Sequence, residues 1–558
     1  MIAVALAGLP LAHADEGQWQ PHQLLQLKPE LQRVGIAIAP EKLADLSQHP
    51  MSAMVSLGGC SASFVSASGL VVTNHHCAYG AIQRNSTVVN NFINRGFLAN
   101  TRAEELPAGS DARMYVTETL ENVTAKVLQG ITPTMSGKLR HAHVENHIKA
   151  LIAECEQNKE YRCSVPEFHR GLEYYLIRQL MIRDVRLVYA PAESVGDFGG
   201  DVDNFEWPRQ AGDFAFLRAY VGKDGRPANP SPDNVPYRPK SFLTISAQGL
   251  KAGDPILLAG YPGRTSRYKL PAEIRFARDH SYPERVEEAR ADLAVIAAAT
   301  QGNAKNVVRY ASVVKGMHNG LKKREGLLAG FARKDIAAIK DEQYAAFRAW
   351  YAQQHADPAL LKELEDVIAS DMALSDEEFA WSVANTSALL KSARTLYRVA
   401  LESEKPDTER EPGFQQRDLA LVAARLNRLE RSYDQNVDQA RYTAALQRYN
   451  KLPASMHPQG LDVLLPAPET VVALYQQSQL GNTATRLAWM SKDVSAFKNS
   501  DDAFIRLAVK LHETDIALEN RRKEIEGNLE RLIPQTMQAM IDWKKSQGKP
   551  VYPDANGT

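Results

Sequence analysis

Two cysteines bracket the stretch that most constrains this chain. It runs Cys60-Ser61-Ala62-Ser63-Phe64-Val65-Ser66-Ala67-Ser68-Gly69-Leu70-Val71-Val72-Thr73-Asn74-His75-His76-Cys77. The turn Ser66-Ala67-Ser68-Gly69 separates two short apolar runs, Ser63-Phe64-Val65 and Leu70-Val71-Val72. Small polar residues ending in glycine between apolar runs predict a β-hairpin. His75 and His76 directly precede the second cysteine. A hairpin closed by a disulfide holds its last residues in place, and a general-base histidine needs such a fixed position. The rival reading is an edge hairpin with two incidental histidines. Apolar pattern, cysteine placement and histidine placement agree against it.

The chain has only four cysteines, and they fall into two local pairs, Cys60 with Cys77 and Cys155 with Cys163. Such pairing suits disulfides formed in an oxidising compartment. A zinc site is disfavoured because no Cys-x-x-Cys spacing occurs. The N-terminus points the same way. Met1 to Leu11 is a short apolar run, and Ala12-His13-Ala14 before Asp15 is an Ala-x-Ala cleavage signature. This reads as the remnant of a secretory signal peptide over residues 1–14, without its basic leading region. No other stretch is long and apolar enough to span a bilayer, so no membrane partner is expected.

A length of 558 residues implies two or more domains. The 66 basic and 66 acidic residues cancel, and no basic face stands out, so nucleic acid is not an expected partner. From residue 15 to 269 the pattern is mostly of strands and loops. A short helix is expected around Pro21–Leu31, and strands at Tyr115-Val116-Thr117, Val185–Tyr189, Gly212–Tyr220, Thr244-Ile245-Ser246 and Pro255–Ala259. Residues 133–160 carry a polar helical pattern with His141, His143 and His147, read as a solvated helix face because no His-Glu-x-x-His arrangement occurs. The glycine- and aspartate-rich loop Gly196–Pro208 lacks the ligand order of a calcium loop. From 270 to about 548 the pattern is helical and charged, with expected helices at Glu284–Ala299, Lys322–Gln354, Pro358–Ser370, Glu377–Glu402, Asp418–Tyr449 and Ala503–Gln547. Residues 549–558 turn extended again and read as the start of a returning β segment.

A serine-hydrolase triad needs a nucleophile, a general base and an acid that fixes the base's tautomer. His76 is the expected base, with His75 as the alternative, since neighbouring strand residues face opposite sides. Asp213 is the expected acid; an aspartate before an apolar strand is how chymotrypsin-like proteases place theirs. No Gly-x-Ser-Gly turn, the source of an oxyanion hole, occurs anywhere. Gly481-Asn482-Thr483 is the nearest look-alike and falls in the helical region.

Four motifs carry a family resemblance. They are Thr73 to Gln83, the loop Gly200-Asp201-Val202-Asp203-Asn204-Phe205-Glu206-Trp207-Pro208-Arg209, the strand start Gly212-Asp213-Phe214, and Gly260-Tyr261-Pro262-Gly263-Arg264-Thr265. The chain resembles, over essentially its whole length, the bacterial serine dipeptidyl peptidases 7 and 11 and dipeptidyl aminopeptidase BII. The resemblance implies an α+β fold, a chymotrypsin-like double β-barrel with a large all-α domain inserted in the second barrel. It implies a periplasmic exopeptidase that releases dipeptides from free N-termini of oligopeptides, needs no metal or other cofactor, and is a homodimer when full length. Residue by residue, His76 and Asp213 match the catalytic pair. Asn204 and Asn319 match the asparagines that bind the substrate's α-amine, and Phe205 stands where the family often has a tryptophan at the first subsite. The family's nucleophile, its amine-binding aspartate and its specificity residue follow the helical insertion, so the second barrel is expected to be incomplete and the chain to be a C-terminally truncated, inactive member. Two alternatives stand beside this one: a chymotrypsin-like endopeptidase, and a non-catalytic peptide-binding homologue.

Overall fold

The computed structural model describes residues 18–354, 359–549, 551 and 554–556. The leader expected at residues 1–14 lies outside them. The strands are β1 (Met54–Ser56), β2 (Ser61–Phe64), β3 (Leu70–Thr73), β4 (Phe97–Leu98), β5 (Leu106–Pro107), β6 (Met114–Asn122), β7 (Tyr161–Ser164), β8 (Glu167–Phe168), β9 (Glu173–Ile182), β10 (Asp184–Ala190), β11 (Ala215–Val221) and β12 (Val235–Pro236). They form one twelve-stranded sheet whose main path is β4-β10-β11-β3-β2-β1-β6-β9-β7.

The hairpin β2–β3 pairs Ser63 with Val72 and Phe64 with Val71. Its period of two buries Phe64 and Val71 in the sheet core with Val55, Leu187 and Leu217. Gly69 is required at the turn. Its φ is +70°, and a Cβ there would meet the Ala219 and Tyr237 carbonyl oxygens at 2.8 Å. β3 then pairs antiparallel with β11, Thr73 opposite Ala215. In an antiparallel pair the residues after one partner lie beside the residues before the other. That register brings the segment after Thr73 to the segment before Ala215, which is where His76 and Asp213 stand.

The longer helices are α1 (His75–Asn85), α2 (Gly137–Cys155), α3 (Tyr282–Thr300), α4 (Ala304–Arg333), α5 (Ile336–Gln354), α6 (Ala359–Ala384), α7 (Ala388–Ser403), α8 (Gln416–Ser432), α9 (Gln435–Tyr449) and α10 (Ala503–Ser546). From α6 onward they enclose a second core that includes Leu396, Tyr442, Phe497 and Phe504. α10 reaches back to the sheet side of the molecule and crosses α2. Glu524 of α10 accepts hydrogen bonds from the backbone N–H groups of Gly137 (3.1 Å) and Lys138 (2.8 Å), capping the first turn of α2.

Several sequence expectations need correction. The runs Thr244–Ser246 and Pro255–Ala259 are not strands. Ile245 is 62% exposed and Leu258 98%, and the backbone between 237 and 263 is irregular. A strand needs a neighbour along its length for its N–H and C=O groups. This segment finds isolated anchors instead, such as Leu243 N–H to the Phe64 carbonyl at 2.8 Å. Two separate barrels are therefore not distinguished among the described residues. The helix expected over Lys322–Gln354 is two helices, α4 and α5, broken near Lys334. His141 does not face solvent: its Nδ1 lies 2.8 Å from Glu530 of α10, 389 residues along the chain. The histidines at 75 and 76 begin helix α1 rather than end a strand.

Candidate active site

Two disulfides frame the sheet-bearing part. Cys60 and Cys77 are bonded with their Cα atoms 6.1 Å apart, closing the hairpin and pinning the first turn of α1. Cys155 and Cys163 are bonded with Cα atoms 6.3 Å apart, tying the end of α2 to β7.

His76 and Asp213 meet at the shared end of β3 and β11. His76 Nδ1 lies 2.8 Å from Asp213 Oδ2, and the His76 backbone N–H donates to Oδ1 at 3.1 Å. Asn74, absent from the sequence reading of the site, donates its Nδ2 to the Asp213 carbonyl (3.1 Å) and to Oδ2 (3.2 Å). Burial alone would raise the Asp213 carboxyl, but the hydrogen bonds from the His76 ring, the His76 N–H and Asn74 outweigh it and hold the group below its usual range. An ionised Asp213 fixes the His76 proton on Nδ1 and leaves Nε2 as the basic nitrogen. The two neighbouring histidines are separated by burial. His75 is 1% exposed, while the His76 side chain is 60% exposed. Burial lowers the His75 pKa against the partial opposition of Asp213 and Asp197, so His75 is a neutral structural ring.

The loop carrying Asn204 grows from the same place. It leaves at Gly196, which lies against the His75 ring, and returns at Gly212, whose N–H donates to the Val195 carbonyl at 2.8 Å just before Asp213. Between these points the loop is stitched to α4. Asn204 Nδ2 donates to Asn319 Oδ1 at 3.0 Å. Lys322 pairs with Glu206 at 2.7 Å, Lys315 pairs with Asp197, and His318 lies 3.7 Å from Asp201. Arg209 donates to Asn204 Oδ1 (3.1 Å) and to Asp197 Oδ1 (2.9 Å). Sequence reasoning found both asparagines but not Arg209, Lys315 or Lys322. The two lysines stand four residues before and three after Asn319, on one helical face, and that spacing was the available signal. Phe205 is 60% exposed with φ +62°, and the neighbouring Trp207 is 93% exposed, so this loop presents two aromatic faces beside the asparagines.

A cavity of about 980 Å³ lies beside this loop, lined among others by Tyr79, Glu193, Asp201, Val314 and His318. None of His76, Asp213, Asn204 and Asn319 lines it, so it is separate from the pair. The look-alike at Gly481-Asn482-Thr483 is a helix start: Asn482 Oδ1 accepts from the Thr485 N–H at 3.0 Å. Its role there is an N-cap. Among the described residues, no helix is long and apolar enough to cross a membrane.

A half-buried aspartate bonded to an exposed histidine, with α4 held over the loop beside them, is an arrangement suited to general-base chemistry. The chain belongs to the Peptidase S46 family, whose model matches residues 14–558. It is 46% identical over 564 residues to the Asp/Glu-specific dipeptidyl-peptidase of Shewanella putrefaciens, covering 100% of this chain and 77% of that protein. It is 36% identical over 354 residues to dipeptidyl-peptidase 7 of Porphyromonas gingivalis, covering 62% of this chain and 49% of the other. The fold is similar to the crystal structure of Porphyromonas endodontalis DPP11 in complex with the dipeptide Arg-Glu, with a TM-score of 0.78 and 25% identity. That match covers 98% of this chain and 79% of the other.

Proposed function

We propose that this chain carries the base, the acid and the amine-binding residues of an exported serine-type dipeptidyl peptidase. The observation that carries the reading is the hydrogen bond from Asn204 to Asn319 of α4, on a loop that begins against His75 and ends just before Asp213. An ammonium group needs acceptors, and each asparagine oxygen keeps a second lone pair beside the one already engaged. Recognition of a free N-terminus next to a general base is what an exopeptidase requires. Phe205, with Trp207 beside it, would wall the side chain of the substrate's first residue.

In this reading His76 Nε2 takes the proton of the serine hydroxyl as its oxygen attacks the scissile carbonyl. The same proton passes to the leaving amine, and an acyl-enzyme remains for water to hydrolyse. Asp213 stays ionised throughout and stabilises the imidazolium. No Gly-x-Ser-Gly occurs among the 558 residues, so the serine and its oxyanion turn are not assigned to any of them. The same reading includes a homodimeric assembly. The Ala-x-Ala signature and the two disulfides support a periplasmic location. Similarity along the full chain to an Asp/Glu-specific relative favours acidic residues as the second residue of the released dipeptide.

The test uses a nucleophile-bearing form of this protein expressed with and without Asp213→Asn. Release of an aspartyl dipeptide from a fluorogenic amide with a free N-terminus should fall by about 10⁴-fold in the variant. Equal cleavage of the N-terminally blocked amide would instead favour the endopeptidase reading.

A further inference from the structure

The helical domain begins with an irregularity. Residues Ala277–Ser281 form a π-helical turn between the short helix Pro271–Phe276 and α3. Such turns widen the backbone locally and recur at functional positions. Here the turn presents His280 with Glu284 one turn on, and across from them stands Asp376 of α6. His280 Nδ1 lies 3.4 Å from Glu284 Oε1, and Nε2 lies 3.1 Å from Asp376 Oδ2.

The charge balance of this cluster sets it apart from its neighbours. On the same helix, Asp371 and Glu378 pair with Arg522 of α10, and Glu377 pairs with Arg521 at 2.7 Å. No lysine or arginine nitrogen among the described residues lies within 4 Å of the Glu284 or Asp376 carboxylates. The nearest candidate in sequence, Arg285, turns its guanidinium over the Phe379 ring, 5.2 Å from its centroid. Two carboxylates, each less than a quarter exposed, therefore share one imidazole. A protonated imidazole and the more distant Arg285 offset part of this charge, and a divalent cation would engage both carboxylates directly.

The donor set selects the cation. The cluster can offer one ring nitrogen and two carboxylate oxygens lying within 4.8 Å of one another. The 3.1 Å separation of His280 Nε2 from Asp376 Oδ2 is hydrogen-bond length, and it would open to about 3.3–3.6 Å as one edge of a tetrahedron with metal–ligand bonds of about 2.0–2.2 Å. A nitrogen with two carboxylates suits zinc or manganese, whereas calcium and magnesium favour all-oxygen sites. Glu284 faces Nδ1 and Asp376 faces Nε2, so binding through Nε2 requires the Glu284 carboxylate to swing to that side of the ring, and three protein ligands then leave one position for water.

We propose that His280, Glu284 and Asp376 bind a divalent transition metal that braces the entry of the helical domain against α6. The proposal is independent of the peptidase reading.

The test is metal binding to the purified 558-residue chain after chelator treatment. Titration with Zn²⁺ should show one tight site and a raised thermal midpoint, and Co²⁺ should give visible absorption bands of low-coordinate geometry. Mg²⁺ at the same concentration should do neither. His280→Ala should lose the site, and Asp376→Asn, which keeps the shape, should weaken it at least tenfold. Absence of a stoichiometric Zn²⁺ site overturns the proposal. So does a site that survives both substitutions, which would place the metal elsewhere, for example at His141 and its glutamates.

Discussion

The His75 ring lies so close to Gly196 that a methyl group on that glycine would fall 2.5 Å from the imidazole Cγ. Gly196 starts the loop that bears Asn204, and His75 is the residue before the base. One contact therefore couples the position of the Asn204 loop to that of His76. Gly196→Ala should push the two apart, with an overpacking cost of about 1–3 kcal/mol. Denaturant unfolding of the purified chain should show the loss. An unchanged midpoint would mean that the loop gives way at this point without consequence.

His75 also predicts a pH dependence. Its folded-state pKa is lowered from 6.5, chiefly by burial. The unfolded chain binds a proton that the folded chain refuses, so this residue's contribution is fully present above about pH 6.5 and is lost as pH falls toward the folded value. The slope from one such group cannot exceed about 1.4 kcal/mol per pH unit. His75→Gln should reduce the difference in unfolding free energy between neutral and mildly acidic buffer. An unaltered difference would assign the acid sensitivity to other groups.

Gly137 and Gly527 predict a second point of intolerance. At the crossing of α2 and α10, a Cβ on Gly527 would lie 1.8 Å from the Gly137 carbonyl oxygen, and one on Gly137 would lie 2.1 Å from the Glu524 carbonyl oxygen. The obstacle is backbone on both sides, so no side chain can move aside. Gly527→Ala should cost more than about 3 kcal/mol, beyond ordinary overpacking, because two whole helices must separate. Glu524→Gln keeps the shape of the cap and removes its charge, and should cost about 1 kcal/mol. Thermal melts of the two variants should rank them in that order.

What the sequence revealed divides along the same lines. The hairpin, its disulfide and the placement of an aspartate before β11 follow from patterns a few residues long, and the structure brings His76 to Asp213 through the Thr73–Ala215 register. The resemblance supplied Asn204 and Asn319, which no local pattern joins, since they lie 115 residues apart. The failures are non-local. Ile245 and Leu258 have strand-like neighbours in sequence, yet strand formation depends on a partner that sequence pattern does not supply. His141 sits in a polar helical pattern and looks solvated until α10 arrives with Glu530. Arg209 was quoted in a motif without a role, because its two acceptors, Asn204 and Asp197, become neighbours only when the loop folds back on itself.

Arg209 makes the last prediction. Its guanidinium occupies one lone pair of Asn204 Oδ1 and thereby sets which end of that amide faces Asn319. An amide turned the other way would present N–H donors where a substrate ammonium needs oxygen, and donor against donor is repulsive. In a nucleophile-bearing form used to test the proposed function, Asn319→Ala should therefore raise KM for a dipeptide amide with a free N-terminus by about tenfold, the value of one charge-assisted hydrogen bond. Arg209→Met should raise it by a smaller factor, since the substrate itself can still bias the amide. If the proposed serine chemistry holds, neither variant should alter that serine's reaction with a small phosphonylating reagent, which has no amine to place. A parallel loss of that reactivity would show that the substitutions disturb the His76–Asp213 pair, and the assignment of Asn204 and Asn319 to amine binding would fall.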